Sequence, residues 1–170
     1  KGYSARKDLG GGVLLTLSHP LDYMTWLLGD MKKGWALLGF NSNLELDGVE
    51  DSAEIGFEME NGVIGSIHLD YYQKPITHWL EIVGTNGTIR WNYVHGSVRI
   101  YNNDSKSWKE YPTKDEFDRN SLFQAEMEHF LDVVQGRDKP KCPLSAGVRV
   151  QKLIHGFKTS SKTGRMVHFG

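Results

Sequence analysis

Between Gly10 and Leu28 the apolar residues Leu14, Leu17, Leu21, Met24 and Leu28 recur at spacings of three and four, the stripe of a buried helical face. Gly10-Gly11-Gly12 opens the segment and Gly29-Asp30 closes it, a glycine at that point suiting a left-handed cap. Pro20 removes the helical hydrogen bond to the carbonyl of Thr16 and turns His19 away from helical angles. The pattern predicts a helix that kinks here or becomes regular only from Pro20.

From Trp35 to Tyr111 the period changes to two. Ala53, Ile55, Phe57 and Met59 alternate with Ser52, Glu54, Gly56 and Glu58, one apolar face of a strand. Asn61-Gly62 is a strong hairpin signal, and Val63 to Gln73 returns antiparallel. Further strands are expected at 78–84, 88–93, 97–101 and 108–111, with turn residues at Asn86-Gly87, His95-Gly96 and Asn102-Asn103-Asp104. These make a meander of five to seven strands. If Asn61-Gly62 forms a two-residue loop, Met59 faces Ile64, Phe57 faces Ser66, Ile55 faces His68 and Ala53 faces Asp70. Both faces of the pair then mix apolar and polar residues, and a sheet of that kind needs cover on both sides.

Two helices end the chain. Ser121-x-x-Gln124 has the form of a capping box, ahead of Phe123, Met127, Phe130, Leu131 and Val134, with Gly136 as a stop. Ser145 is a cap for a second helix carrying Val150, Leu153, Ile154 and Phe157, and a short strand follows near 166–169. No repeat, low-complexity tract or internal boundary interrupts the chain, so the expected architecture is a single α+β domain with an open, mainly antiparallel sheet and flanking helices.

Composition narrows the function classes. The 170 residues carry a formal net charge of −1, which gives no electrostatic reason to expect nucleic acid or an anionic membrane as partner. No apolar run approaches a membrane span. The one cysteine, Cys142, excludes an internal disulfide framework and fits a reducing compartment, which points to the cytoplasm. The chain opens on Lys1 without signal-peptide character, and it is expected to be a fragment or a processed chain.

His19 and Asp22 lie three apart on one helical face, with Leu15 and Trp26 a turn away on either side. An imidazole titrates near neutrality and an adjacent carboxylate can orient it, an arrangement suited to moving a hydroxyl proton. The same spacing also serves a pair that makes only structural hydrogen bonds at a helix kink. Gly10-Gly11-Gly12 lacks the G-x-G-x-x-G pattern and follows no strand, so it reads as a close-packed helix start rather than a phosphate cradle. His68, Asp70, Tyr71 and Tyr72 lead into Gln73-Lys74-Pro75 and can either meet a sugar or be satisfied within the sheet. His78, His95, His129, His155 and His168 have no metal-ligand spacing, so no metal is expected. Cys142 lacks a helix start or base to activate it, and no G-x-S-x-G elbow is present.

The order of these parts resembles a known family. GGGVLLTLSHPLDYMTWLLGD (10–30), EDSAEIGFEMENGVIGSIHLDY (50–71), WLEIVGTNGTIRW (79–91) and FDRNSLFQAEMEHFLDVVQGRDKP (117–140) are similar to the C-terminal domain of the Gfo/Idh/MocA oxidoreductases. LSHPLDY is similar to members from bacterial nucleotide-sugar pathways. The resemblance implies an N-terminal Rossmann domain holding NAD or NADP together with a catalytic lysine, neither of them in this chain. It implies dehydrogenation or reduction at a sugar hydroxyl, with His19 as the active-site histidine and Asp22 beside it. Many members place an aspartate one turn before the histidine, where this chain has Thr16, three residues upstream rather than four. Substrate contacts are implied at Lys74 and Thr77, then at Arg119, Asn120 and Phe123. Expected partners are a small sugar substrate, the protein's own Rossmann domain, and further copies of the chain, as a dimer or tetramer built through a sheet face. The isolated domain is expected to be inactive. The alternative is a non-catalytic self-association or sugar-binding module in which His19 is structural.

Overall fold

The computed structural model of the chain describes residues 2–113 and 117–170. They form two compact units, residues 1–72 with 141–170, and residues 73–140. The α+β class expected from the sequence holds, with the strands shared between two four-stranded antiparallel sheets rather than one continuous meander.

In the first unit the predicted opening helix divides. α1 (Val13–Thr16) ends at Leu17, whose φ of −106° and ψ of 44° are not helical, and α2 (His19–Leu28) starts with Ser18 as its flank and Pro20 in its first turn. The proline ring would clash with the carbonyl of Thr16 in a continuous helix, so the break falls at 17–18. In the first turn of a new helix its missing N–H costs nothing. Val13, Leu14, Leu21 and Met24 are buried, which fixes both short helices by their apolar sides.

The sheet of this unit is ordered β3-β2-β1-β8, from β1 (Met31–Gly39), β2 (Ser52–Met59), β3 (Ile64–Asp70) and β8 (Val167–His168). Its register corrects the sequence expectation by one residue. Glu58, not Met59, stands opposite Ile64, and Ile55 stands opposite Ile67. The turn is the cause. The Val63 carbonyl accepts from the Met59 N–H at 2.8 Å, and Gly62 holds φ at +85°, so three residues (60–62) make the loop instead of two. A two-residue Asn-Gly loop needs both residues at positive φ, and here Gly62 is left-handed while Asn61 is not. One residue of shift exchanges the faces of β3. Ala53, Ile55, Phe57 and Met59 now share the inner face with Ile67 and Leu69, while Glu54, Glu58, Ser66 and His68 share the outer one. The inner face is therefore apolar instead of mixed, while the outer one still mixes Glu54, Glu58 and His68 with Trp35, Leu37 and Ile64.

α4 (Leu144–Thr163) covers the inner face with Val150, Leu153, Ile154 and Phe157, the face its periodicity predicts. It begins one residue ahead of Ser145, after Pro143, so Ser145 is not the cap. The Phe157 ring lies 2.8 Å from where a Cβ on Gly34 would be, so β1 needs a glycine there. Pairing of β8 with β1 stops at Gly34. Beyond it, the Ala36 N–H donates to Ser160 Oγ at 3.1 Å and the Leu38 N–H to Ser161 Oγ at 3.0 Å, so side chains of α4 complete the strand's hydrogen bonding.

In the second unit β4 (Trp79–Gly84), β5 (Gly87–Asn92), β6 (Ser97–Asn102) and β7 (Ser107–Pro112) form a meander in sequence order, close to the predicted segments. Residues 71–78, which include Pro75 with no N–H to give a ladder, separate it from β3. One face carries Leu80, Ile82, Ile89, Trp91, Val98 and Ile100 in register; the other carries Glu81, Arg90, Arg99 and Trp108. The guanidinium carbons of Arg90 and Arg99 lie 5.2 and 4.9 Å from the Trp108 ring centre, a cation–π stack. α3 (Asn120–Val134) starts after Arg119 and ends before Gly136 at φ +72°. The capping box does not form. Ser121 Oγ donates to the Asp118 carbonyl at 2.6 Å, and the Asp118 side chain accepts from the Asn120 N–H at 3.0 Å.

Candidate functional site

His19 is the first residue of α2 and Asp22 lies in the same turn, both exposed. Pro20, Leu21, Met24 and Thr25 are buried on the opposite side, so the helix is held by its apolar face and offers these two groups outward. Among the described residues neither side chain makes a hydrogen bond or ion pair. The Ser18 carbonyl accepts from the N–H groups of Leu21 at 3.0 Å and Asp22 at 3.3 Å, which ties the turn that carries both residues to the break before it. An exposed, unbonded imidazole is free to exchange a proton, and a carboxylate at a helix N-terminus lies at the favourable end of the dipole. Trp26, 81% exposed, extends the same stripe.

The three glycines ahead of α1 form no cradle. A Cβ on Gly11 would lie 2.5 Å from the Ser4 carbonyl, and one on Gly12 2.5 Å from the Glu50 carboxylate. Glu50 is buried and accepts from the Leu14 N–H at 3.3 Å. The Glu50 side chain already fills the start of α1, so no room is left for a phosphate there. Asp51, also buried, accepts from Asn41 N–H at 2.9 Å and from the N–H and hydroxyl of Ser42 at 2.7 and 2.6 Å. Burial pushes its carboxyl up, but the bonds from Ser42 and Asn41 outweigh this and hold it below the ordinary carboxylate value.

The residues on and after β3 are satisfied within the unit. His68 bridges two carboxylates, with Nδ1 2.5 Å from Glu54 Oε1 and Nε2 3.0 Å from Asp70 Oδ2. Burial alone would lower its pKa; Glu54 and Asp70 reverse this and raise it above 6.5. Tyr71 bonds to the Thr16 hydroxyl. Thr16 also donates to the Gly12 carbonyl at 2.8 Å. The sequence offers Tyr71 without its partner, because 55 residues separate it from Thr16. Glu50 and Asp51 carry no motif and were not foreseeable as buried acids.

The other site residues form local groups in the second unit. Lys74 and Thr77 lie on the exposed segment before β4, and Arg119, Asn120 and Phe123 lie at the exposed start of α3. Among the described residues no three His, Cys, Asp or Glu side chains gather as a metal ion needs, and no helix is long and apolar enough to cross a membrane.

Comparison with known proteins places this chain. A 1,5-anhydro-D-fructose reductase of Ensifer adhaerens is 25% identical over 149 residues, 84% of this chain and 43% of the reductase. Among solved structures, an oxidoreductase domain protein from Kribbella flavida superposes with a TM-score of 0.88 at 14% identity, over 100% of this chain and 53% of its own. Levoglucosan dehydrogenase, in complex with NADH and levoglucosan, gives 0.85 at 16% identity, over 98% and 53%. The WlbA dehydrogenase of Bordetella pertussis, in complex with NADH and UDP-GlcNAcA, gives 0.75 at 19%, over 99% and 51%. The chain thus spans about half the length of these relatives. The sequence pattern of the oxidoreductase family C-terminal alpha/beta domain matches residues 3–169, and the chain belongs to the Gfo/Idh/MocA oxidoreductases as that domain.

Proposed function

We propose that this chain is the substrate-side domain of an NAD(P)-dependent oxidoreductase acting on a hydroxyl of a sugar, sugar derivative or nucleotide sugar. The observation that carries the reading is the outward, unbonded pair His19 and Asp22 in the first turn of α2. A ring nitrogen of His19 takes the hydroxyl proton as the carbonyl forms, or returns it in the reverse direction, and Asp22 orients the ring. Lys74, Thr77, Arg119, Asn120 and Phe123 serve as substrate contacts.

The residues of this chain do not fit the dinucleotide, since its glycine run is closed by backbone and by Glu50. Hydride chemistry belongs to a nicotinamide held elsewhere, by an N-terminal Rossmann domain, and the isolated chain is inactive. Both compact units work together as one substrate-side domain. Copies associate through the outer face of the β3-β2-β1-β8 sheet, where Trp35, Leu37 and Ile64 are 41, 62 and 79% exposed. The free, exposed Cys142 accords with a cytoplasmic setting.

The test uses the intact protein with NADH or NADPH and 1,5-anhydro-D-fructose, and with NAD or NADP and levoglucosan or a UDP-sugar, following nicotinamide absorbance. Turnover is expected with at least one, and His19→Ala lowers kcat by about a hundredfold or more. A His19→Ala enzyme within about threefold of the parent removes proton transfer by this residue.

A further inference from the structure

We infer that Tyr71 and Thr16 are positioning residues for His19: their paired hydroxyls fix the helix break from which the imidazole projects. The inference rests on the catalytic reading of His19 and adds two residues that never touch substrate.

Thr16 is the last residue of α1, and the break at Leu17-Ser18 separates it from His19. A threonine hydroxyl has one proton, and here it goes to the Gly12 carbonyl. The bond between Thr16 and Tyr71 must therefore be donated by the phenol. The Tyr71 oxygen also lies 3.5 Å from the Ser4 carbonyl, at the outer limit of a hydrogen bond, and the phenol's single proton goes to the nearer Thr16 oxygen. Burial pushes the Tyr71 phenol up; the bond to Thr16 opposes this and the nearby Glu50 adds to it, and the phenol keeps its proton. Tyr71 is itself anchored, since its N–H donates to the Asp51 carbonyl at 3.0 Å.

These bonds commit the Thr16 proton to Gly12 and one of its lone pairs to Tyr71. Thr16 therefore acts on His19 through the backbone, as a tether rather than as a substitute acidic partner. The tether runs from Tyr71 at the exit of β3, through Thr16, into Leu17 and Ser18. The Ser18 carbonyl then receives the Leu21 and Asp22 N–H groups, so the turn that carries His19 and Asp22 takes its placement from that end. Catalytic groups tolerate displacement of only about 0.5 Å, and misplacement by about 1 Å can cost a hundredfold in rate.

The experiment uses the intact protein with labelled histidines, observed by NMR across a pH titration. The His19 signal is assigned by its loss in His19→Ala. Tyr71→Phe and Thr16→Val are each expected to move the His19 signal and its titration midpoint, and the two together to move it no further than one alone. Thr16→Ser, which keeps the hydroxyl, retains the parent values. With a turned-over sugar, Tyr71→Phe lowers kcat about tenfold and leaves KM within about twofold. An unmoved His19 signal and midpoint in folded Tyr71→Phe and Thr16→Val overturns the inference. If Tyr71→Phe does not fold, the comparison of Thr16→Val with Thr16→Ser decides it. The kcat of His19→Ala judges the catalytic reading separately.

Discussion

The Glu50 carboxylate occupies the space a side chain on Gly12 would need, 2.5 Å from the Cβ position, at a backbone φ of +108°. Gly12→Ala therefore meets both a clash and an unfavourable backbone angle. The angle alone costs about 1–3 kcal/mol. A lowered urea midpoint is expected, with a larger loss than Gly10→Ala, whose Cβ position has open space. Equal losses in the two variants would show that Glu50 does not guard that space.

Ser160 is 1% exposed and serves two backbone groups, accepting from the Ala36 N–H at 3.1 Å and donating to the Arg165 carbonyl at 2.6 Å. Ser160→Ala removes both bonds and leaves the Ala36 N–H unpaired in the interior. A loss of about 1–3 kcal/mol for that group is expected in denaturant unfolding. Amide exchange at Ala36 should also quicken. An unchanged Ala36 rate would mean that another acceptor takes its proton.

Asp51 gives the fold an acid-sensitive point. Its folded-state carboxyl titrates below the ordinary value, so its contribution is present above that value and is lost as pH falls through the folded one. Asp51→Asn should flatten the fall in stability on the acid side of about pH 4 and lower stability at neutral pH. A variant whose acid limb is as steep as the parent's would assign that limb to other carboxylates.

His68 has the opposite sign. Held by Glu54 and Asp70, its pKa lies above 6.5, so its contribution is complete below that value and disappears as pH rises through the folded one. An NMR titration should place its midpoint above 6.5, and Glu54→Gln should lower it. A midpoint that ignores Glu54→Gln would break the bridge described for the outer face.

Much of this architecture is written in local pattern. The stripe of α4, the break forced by Pro20 and the β4–β7 meander follow from spacing, from a proline ring and from turn residues. The outward His19 and Asp22 pair follows too, since their helix face is set by Leu21 and Met24. The errors come where two local signals compete or where partners are distant. Asn61-Gly62 suits a two-residue loop, yet Glu60 joins it, with Gly62 as the left-handed residue. Asp118 takes the role at the start of α3 that Ser121-x-x-Gln124 advertises. Nothing in the sequence links Thr16 to Tyr71, or Glu50 to the start of α1, because those contacts exist only once the sheet has formed. The division of the strands into two sheets likewise has no local marker beyond the strand-poor stretch around Pro75.

The loop at 60–62 gives that hairpin a parity. A slip of β3 by one place against β2, which a two-residue Asn61-Gly62 loop would require, turns Ile67 and Leu69 outward and delivers Ser66 and His68 to the inner face. Burial of Ile67 and Leu69 opposes that slip. An inserted residue is therefore taken up as a longer tip, and the tip can drift in length while the core keeps its alternation.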